Sequence, residues 1–203
     1  IDLRKYLTDT WNLKKLLFWM AKNWSIKIIV GIVIFSIVLS SCASYENAKM
    51  IRGMLGKAVS MPKEIVVLNK VEEQPLKVIS YISSTSCTEC YMKTLPLWGE
   101  LKSDLDSLGV SLHFVVSVPK GECEKVFADI RTFCPYCAYV DFSDSFGDLN
   151  PFVPEDARFH TFLLDGNNVV RLVGDPRENE KLWKLYLGEI ERLKLEKTTT
   201  TDQ

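Results

Sequence analysis

The chain of 203 residues has little of what several large protein classes require. It has no excess of basic charge, with 25 Lys and Arg against 26 Asp and Glu, so nothing in its charge balance suits a phosphate backbone, and nucleic acid is excluded as a partner. It has only 2 histidines. It contains no Gly-x-Ser-x-Gly, no glycine-rich phosphate loop and no His-Glu-x-x-His, so the common hydrolase, nucleotide and zinc-protease chemistries have no foothold. It also lacks an apolar run of the roughly 20 residues that a membrane-spanning helix needs. Its 6 cysteines are too few for a disulfide-dense miniprotein. They are grouped as two Cys-x-x-Cys pairs and two singles, a pattern that points to redox or metal chemistry.

What is present begins with a short apolar run, IIVGIVIFSIVL over residues 28–39, which follows Lys22 and Lys27 and precedes Ser40, Ser41 and Cys42. Its 12 residues fit the apolar region of a secretory signal, which is about 7–15 residues long. Leu39-Ser40-Ser41-Cys42 resembles the lipobox of bacterial lipoproteins, in which the cysteine is acylated and becomes the new amino terminus. The expected organisation is an upstream extension over 1–19, a lipoprotein signal peptide over 20–41 with Met20 as the natural start, and a tether over 42–60. A domain over 61–194 and a disordered tail over 195–203 complete it. The domain is expected outside the cytoplasm, held at the inner or outer membrane by lipid on Cys42 and facing the periplasm or cell exterior, where disulfides persist. From Cys42 onward 19 basic and 24 acidic side chains remain, a formal charge of −5.

Within that domain, strand-like and helix-like segments alternate. EIVVL (64–68), LKVISYI (76–82), SLHFVVSV (111–118) and AYVDF (138–142) read as strands from their β-branched content and their flanking turn residues. Met92, Leu95, Trp98, Leu101, Leu105 and Leu108 recur at spacings of three and four, which predicts a helix from Cys87 to about Leu108, ended by Gly109. A second helix is expected over 122–133, and a hairpin pairs 159–164 with 169–173 around Asp165-Gly166-Asn167-Asn168. A last helix runs from about Glu178 to Lys194. The fold class is α/β: a central mixed sheet with helices on both faces.

The chemistry centres on Cys87-Thr88-Glu89-Cys90, which follows a predicted strand and opens a predicted helix. A thiolate at a helix amino terminus is stabilised by unpaired N–H groups and by the helix dipole, which makes Cys87 the attacking thiol. Cys90, one turn later, resolves the mixed disulfide, so two electrons move with no cofactor beyond the Cys87–Cys90 pair. The second tetrapeptide, Cys134-Pro135-Tyr136-Cys137, follows a helix and leads into a strand, so neither thiol opens a helix; it reads as a loop disulfide or an auxiliary thiol pair. Cys123 lies 11 residues before Cys134, roughly 16 Å along a continuous helix, too far for a bridge. His113 reads as a structural residue.

The segments VISYISSTSCTECYMKTLPLW and FHTFLLDGNNVVRLVGDP, together with the lipobox, resemble the TlpA/ResA-like thioredoxin-fold lipoproteins over about Met61 to Leu193. The resemblance implies a thioredoxin-like fold and a thiol–disulfide oxidoreductase acting on protein or small-molecule thiols and disulfides, kept reduced by a membrane electron donor of the DsbD type. The chain departs from the family's pattern at Ser86, where a Trp is common, and at Thr88-Glu89, where Gly-Pro or Pro-Pro is common. Glu89 opposes a nearby thiolate and so favours the disulfide, which implies a thioredoxin-like rather than a strongly oxidising potential. Pro96 comes six residues after Cys90 rather than five. His160, before Thr161, stands where the family carries a cis-proline that pairs with substrate, so His160 and Thr161 are candidate substrate-binding residues. His160 is expected to be trans, because a non-proline cis bond costs about 2.5–4 kcal/mol. It also opens a rival reading, a Sco-like copper or zinc site made by Cys87, Cys90 and His160. A third reading is a catalytically degenerate binding module of the same fold.

Overall fold

The computed structural model describes residues 32, 44–69, 74–86, 91, 93–118, 121, 123–134 and 136–201. Cys42, Cys87 and Cys90 lie outside the described residues, as does nearly all of the apolar run. The chain divides into two compact units, Ile1–Lys49 and Met50–Gln203. The second contains six strands: β1 (Ile65–Leu68), β2 (Leu76–Ile82), β3 (Val110–Ser117), β4 (Cys137–Asp141), β5 (Thr161–Leu164) and β6 (Val170–Val173). Its helices are α1 (Gly99–Ser107), α2 (Cys123–Phe133), the short α3 (Phe146–Leu149) and α4 (Glu180–Thr201).

The strands form one mixed sheet in the order β1-β4-β3-β2-β5-β6. β2, β3 and β4 are mutually parallel, while β5 is antiparallel to β2 and β1 is antiparallel to β4. The connections from β2 to β3 and from β3 to β4 step the same way across the sheet. With the usual right-handed crossover, both must then place their helices on one face. They do: Leu101 and Leu105 of α1, Val126 and Ile130 of α2, and Tyr186 and Ile190 of α4 share one core with Val78, Ile82, Leu112, Phe114 and Val116 of the sheet. The alternating residues Ile79, Tyr81, Val115 and Phe162 face a second core, closed by Met54, Phe146 and Phe159. Period-two alternation along β2 therefore serves two cores at once.

Four expectations change. The helix predicted from Cys87 to Leu108 is broken. Leu95–Trp98 is a 3-10 turn with Pro96 near its start, and α1 begins only at Gly99. Pro96 has no N–H to donate and its ring crowds the preceding turn, and Thr94 takes up the slack by donating both its N–H and its hydroxyl to Tyr91 O at 2.8 Å. Phe159 and His160 belong to a 3-10 turn, Ala157–Phe159, and its cap rather than to a strand. The second half of the tether expected over 42–60 is packed: residues 50–54 are helical, and Met54 is fully buried. Gly56 N donates to Val170 O, Val170 N to Lys57 O and Val59 N to Asn168 O, each at 2.9 Å. That stretch covers the β6 edge, which would otherwise lie open to pairing. Finally, α4 continues to Thr201 through residues expected to form a disordered tail, with Arg192 bridging Glu189 and Glu196 at i,i+3 and i,i+4 spacings.

Other elements follow the sequence closely. β2 has the bounds read from its β-branched run. Gly109 ends α1 at φ +60°, a conformation that costs glycine little. Asp165 Oδ1 accepts from Asn167 N and Val169 N at 2.9 and 3.0 Å, and Asn168 takes φ +59° to close the β5–β6 hairpin.

At the carboxyl end of β4, Asp141 is fully buried. Its carboxylate accepts from Ser117 Oγ (3.2 Å), Ser143 N (3.1 Å), Ser143 Oγ (2.7 Å), Ser145 N (2.8 Å) and Phe146 N (2.8 Å). It stops the strand and satisfies the first N–H groups of α3, which seats Phe146 in the second core. Asp141→Ala strands these buried donors and is expected to lower unfolding free energy by about 3 kcal/mol in urea titrations. A loss below about 1 kcal/mol would mean that water or neighbouring groups replace the carboxylate.

Candidate active site

The central strand β2 is hydrogen-bonded on both sides, and its carboxyl end meets the start of β5. The ladder runs from Lys77↔Leu164 to Ser80↔Thr161. It is extended one step when Tyr81 N donates to His160 O at 2.9 Å. Chain direction reverses its course across the sheet here: β3 and β4 lie to one side of β2, β5 and β6 to the other. The crevice beyond the carboxyl ends of strands at such a reversal is where open α/β sheets bind ligands.

From this end of β2 the chain enters a turn made of hydroxyl residues. Ser86 N donates to Ser83 O at 2.9 Å, Ser83 Oγ and Thr85 Oγ1 are 3.0 Å apart, and Ser84 Oγ donates to Asp144 Oδ2 at 2.6 Å. Short polar side chains compete well for local backbone groups, so a Ser/Thr run favours a turn here. The sequence passes directly from Ser86 to Cys87. It returns to the described structure at Tyr91, whose hydroxyl makes a short hydrogen bond with Ser80 Oγ; Ser80 Oγ is in turn 3.3 Å from Thr161 Oγ1. Three hydroxyls thus link the residue after Cys90 to strands β2 and β5. Burial raises the Tyr91 phenol above its usual range, with Asp175 and Cys134 adding to the effect and Ser80 and Arg177 opposing it. The phenol is neutral and free to donate.

Thr161 and His160 point to opposite sides. Thr161 shares the α1 face with Tyr91, as its pairing with Ser80 requires. His160 follows Tyr81 into the second core, with ring centroids 4.9 Å apart, and its Nε2 lies 2.8 Å from Pro154 O. The bond preceding His160 is trans, and no cis peptide occurs among the described residues. Of the candidate site residues, the structure therefore describes His160 and Thr161, adjacent in sequence and on different faces. Among the described residues no group of three or more His, Cys, Asp and Glu side chains could hold a metal ion, and no helix is long and apolar enough to cross a membrane.

The second cysteine pair straddles an element boundary. Cys134 is buried directly after α2, with its Sγ 3.6 Å from Tyr136 O, and Cys137 is the first residue of β4. Tyr136, between them, donates its hydroxyl to Leu95 O at 3.3 Å, so this loop supports the turn that precedes α1. Cys123 opens α2, at the far end of a continuous helix from Cys134. His113 is buried, 2.7 Å from Ser111 Oγ and stacked on Tyr139, the structural role read from the sequence.

Sequence reasoning missed a cleft of about 860 Å³ on the α1 face, bordered by Tyr91, Leu97, Thr161, Pro176 and Trp183. Two copies of one device shape its rim. Asp156 caps the turn Ala157–Phe159 and Asp175 caps the turn Pro176–Glu178, each accepting the N–H of the residue two positions on. The arginine at that position then folds back onto the same carboxylate: Arg158 Nη2 to Asp156 Oδ2 at 2.6 Å and Arg177 Nη2 to Asp175 Oδ2 at 2.5 Å. Arg177 also stacks on Trp98, 3.8 Å from the ring centroid. The repeated Asp-x-Arg spacing was the available signal.

No family model matches the chain, and no curated protein matches it in sequence. Among solved structures it is similar to the thioredoxin domain of a thiol-disulfide oxidoreductase from Bacteroides vulgatus, with 12% identity, 64% of this chain and 98% of that one covered, and a TM-score of 0.42. It is also similar to a thioredoxin-like protein from Porphyromonas gingivalis (19% identity, 58% and 74% covered, TM-score 0.40). A third similar structure is the copper-bound Sco1 of yeast (14% identity, 58% and 78% covered, TM-score 0.42). The α/β class of this chain rests on its own sheet order and register.

Burial holds the His160 imidazole below the usual histidine range, with its bonds to Pro154 and Tyr81 and the charge of Asp156 partly opposing the shift. A depressed folded-state value means that the unfolded chain binds the proton more tightly. Stability is therefore full above the unfolded value of about 6.5 and is lost as pH falls from there through the folded value. Urea midpoints measured between pH 7.5 and 5 should fall on acidification, and the fall should be smaller in His160→Gln. An identical pH dependence in both proteins would place the titration elsewhere.

Proposed function

We propose that the chain is a thioredoxin-type thiol–disulfide oxidoreductase, acting through Cys87 and Cys90. The observation that carries this reading is the position of the Ser83–Ser86 turn. It leaves the carboxyl end of the doubly paired strand β2 at the reversal point of the sheet and leads directly into the first cysteine. In the reductive direction the Cys87 thiolate attacks one sulfur of a substrate disulfide. The S–S bond breaks, a mixed disulfide forms, and the leaving thiolate takes up a proton. Cys90, as thiolate, then attacks the Cys87 sulfur, which forms the Cys87–Cys90 disulfide and releases the second substrate thiol. Two electrons pass to the substrate, and a membrane dithiol donor of the DsbD type restores the reduced pair.

Thr161, buried on the α1 face beside Tyr91, borders the cleft. His160 contributes its backbone carbonyl to the ladder while its ring is held in the second core. The rival copper or zinc site would require the imidazole to leave its contact with Pro154 O.

Trapping tests the assignment. Cys90→Ser should accumulate mixed disulfides through residue 87, and Cys87→Ser should accumulate none, because only the first thiol attacks. The double variant Cys134→Ser/Cys137→Ser should trap and turn over as the parent does. Equal trapping by both single variants, or loss of turnover in the double one, would move the reaction to other thiols.

The proposed setting is extracytoplasmic, with the chain tethered by lipid on Cys42 after removal of residues 1–41. Intact-mass measurement of the protein from a bacterial membrane fraction should show a chain beginning at an acylated Cys42. A mass that retains residues 28–41 would overturn the anchor and leave the redox assignment standing.

A further inference from the structure

The cleft on the α1 face has a charge pattern that the exchange reaction itself does not explain. One wall presents Leu97 from the 3-10 turn that precedes α1, and Glu100, Leu101 and Asp104 from α1 itself, with Glu100 and Asp104 one helical turn apart. Leu97 is 69% exposed. The opposite wall is formed by Pro176, Arg177, Glu180 and Trp183.

Most charges around the cleft are already matched. Arg158 is forked by Asp156 and Arg177 by Asp175, and Glu180 lies 2.7 Å from Lys184. Glu100 and Asp104 remain, and among the described residues no cation pairs with either. They stand at i,i+4, where like charges repel across one helical turn, and Lys102 on the same helix turns away to pair with Asp106. Both cleft arginines are held on their own aspartates, so neither is free for an anionic ligand. A partner that brings positive charge to the α1 wall and apolar side chains to Leu97, Pro176 and Trp183 meets both demands.

We infer that this cleft docks a basic, partly apolar segment of a partner polypeptide, through Glu100 and Asp104, beside Tyr91, the residue that follows Cys90 in sequence. The inference rests on the redox reading for its consequence, which is preference for substrates with lysine or arginine near the reacting cysteine. The docking itself does not depend on that reading.

Binding and exchange are therefore measured separately on the full chain. A cysteine-free decapeptide of alternating lysine and leucine, labelled for anisotropy, should bind and should weaken as salt is raised, whereas its glutamate counterpart should not bind. Glu100→Gln/Asp104→Asn should weaken lysine-peptide binding roughly five- to tenfold, since exposed charge contacts each contribute a factor of a few. Glu124→Gln on α2, outside the cleft, should leave the affinity unchanged. Equal binding of the two peptides, no binding of the basic one, or an equal loss in Glu124→Gln would overturn the inference. Disulfide-linked versions of both peptides then separate the two claims. Exchange without preference for the basic peptide counts against the cleft alone, and binding without any exchange counts against the redox assignment alone.

Discussion

Strand β2 must satisfy two neighbours and two cores simultaneously, and the remaining architecture is arranged around that demand. Parallel pairing with β3 needs a crossover long enough for a helix, whereas antiparallel pairing with β5 can be made by chain returning from elsewhere. Seven consecutive residues, Leu76–Ile82, are buried or nearly so, so each backbone group must find its partner in the ladder and each side chain in a core. Ser80 is the polar exception on the α1 face. Its hydroxyl is tolerated because Tyr91 and Thr161 complete its bonding, and this requirement draws the residue after Cys90 onto the strand that precedes Cys87.

Several buried polar groups near this end of the sheet are matched at hydrogen-bond distance, although Trp98 Nε1 is buried with no such partner among the described residues. Asp141 is satisfied by one serine from β3 and by the turn it caps. Asn150 reaches back to Ser60 with both ends of its amide, 2.8 and 2.9 Å, and ties the packed entry segment to α3. Asp156 and Asp175 each cap a turn and hold an arginine. Such closed pairs fix loops without long-range charge.

The parts legible in sequence were those governed by local periodicity and turn chemistry. The β-branched run 76–82, the stop at Gly109 and the Asp165–Asn168 turn carry their own instructions, since each depends on residues within a few positions. The missed parts depend on remote partners. Residues 50–60 read as a polar tether because their ladder partner, Val170, lies more than a hundred positions away. The helical period of Leu95, Trp98, Leu101 and Leu105 was real, but Pro96 imposed a 3-10 turn within it. Leu101 and Leu105 read as core positions, as they are; the cleft beside them needed α4 and the two Asp-capped turns, and no single segment encodes it. His160 read as part of a strand, but it caps the Ala157–Phe159 turn with its Nε2 on the Pro154 carbonyl, and neither feature is visible in a strand-like pattern.

The seating of His160 carries the main chemical consequence. Its carbonyl oxygen joins the ladder by accepting from Tyr81 N, but its own backbone is helical, as the cap of the Ala157–Phe159 turn. Its ring is held by Pro154 O, 2.8 Å from Nε2, and by the Tyr81 ring, 4.9 Å away. Turning the imidazole to the α1 face would give up both contacts. The histidine is thus fixed as a neutral, buried group behind the ladder. The α1 face carries three linked hydroxyls, Tyr91, Ser80 and Thr161, each able both to donate and to accept.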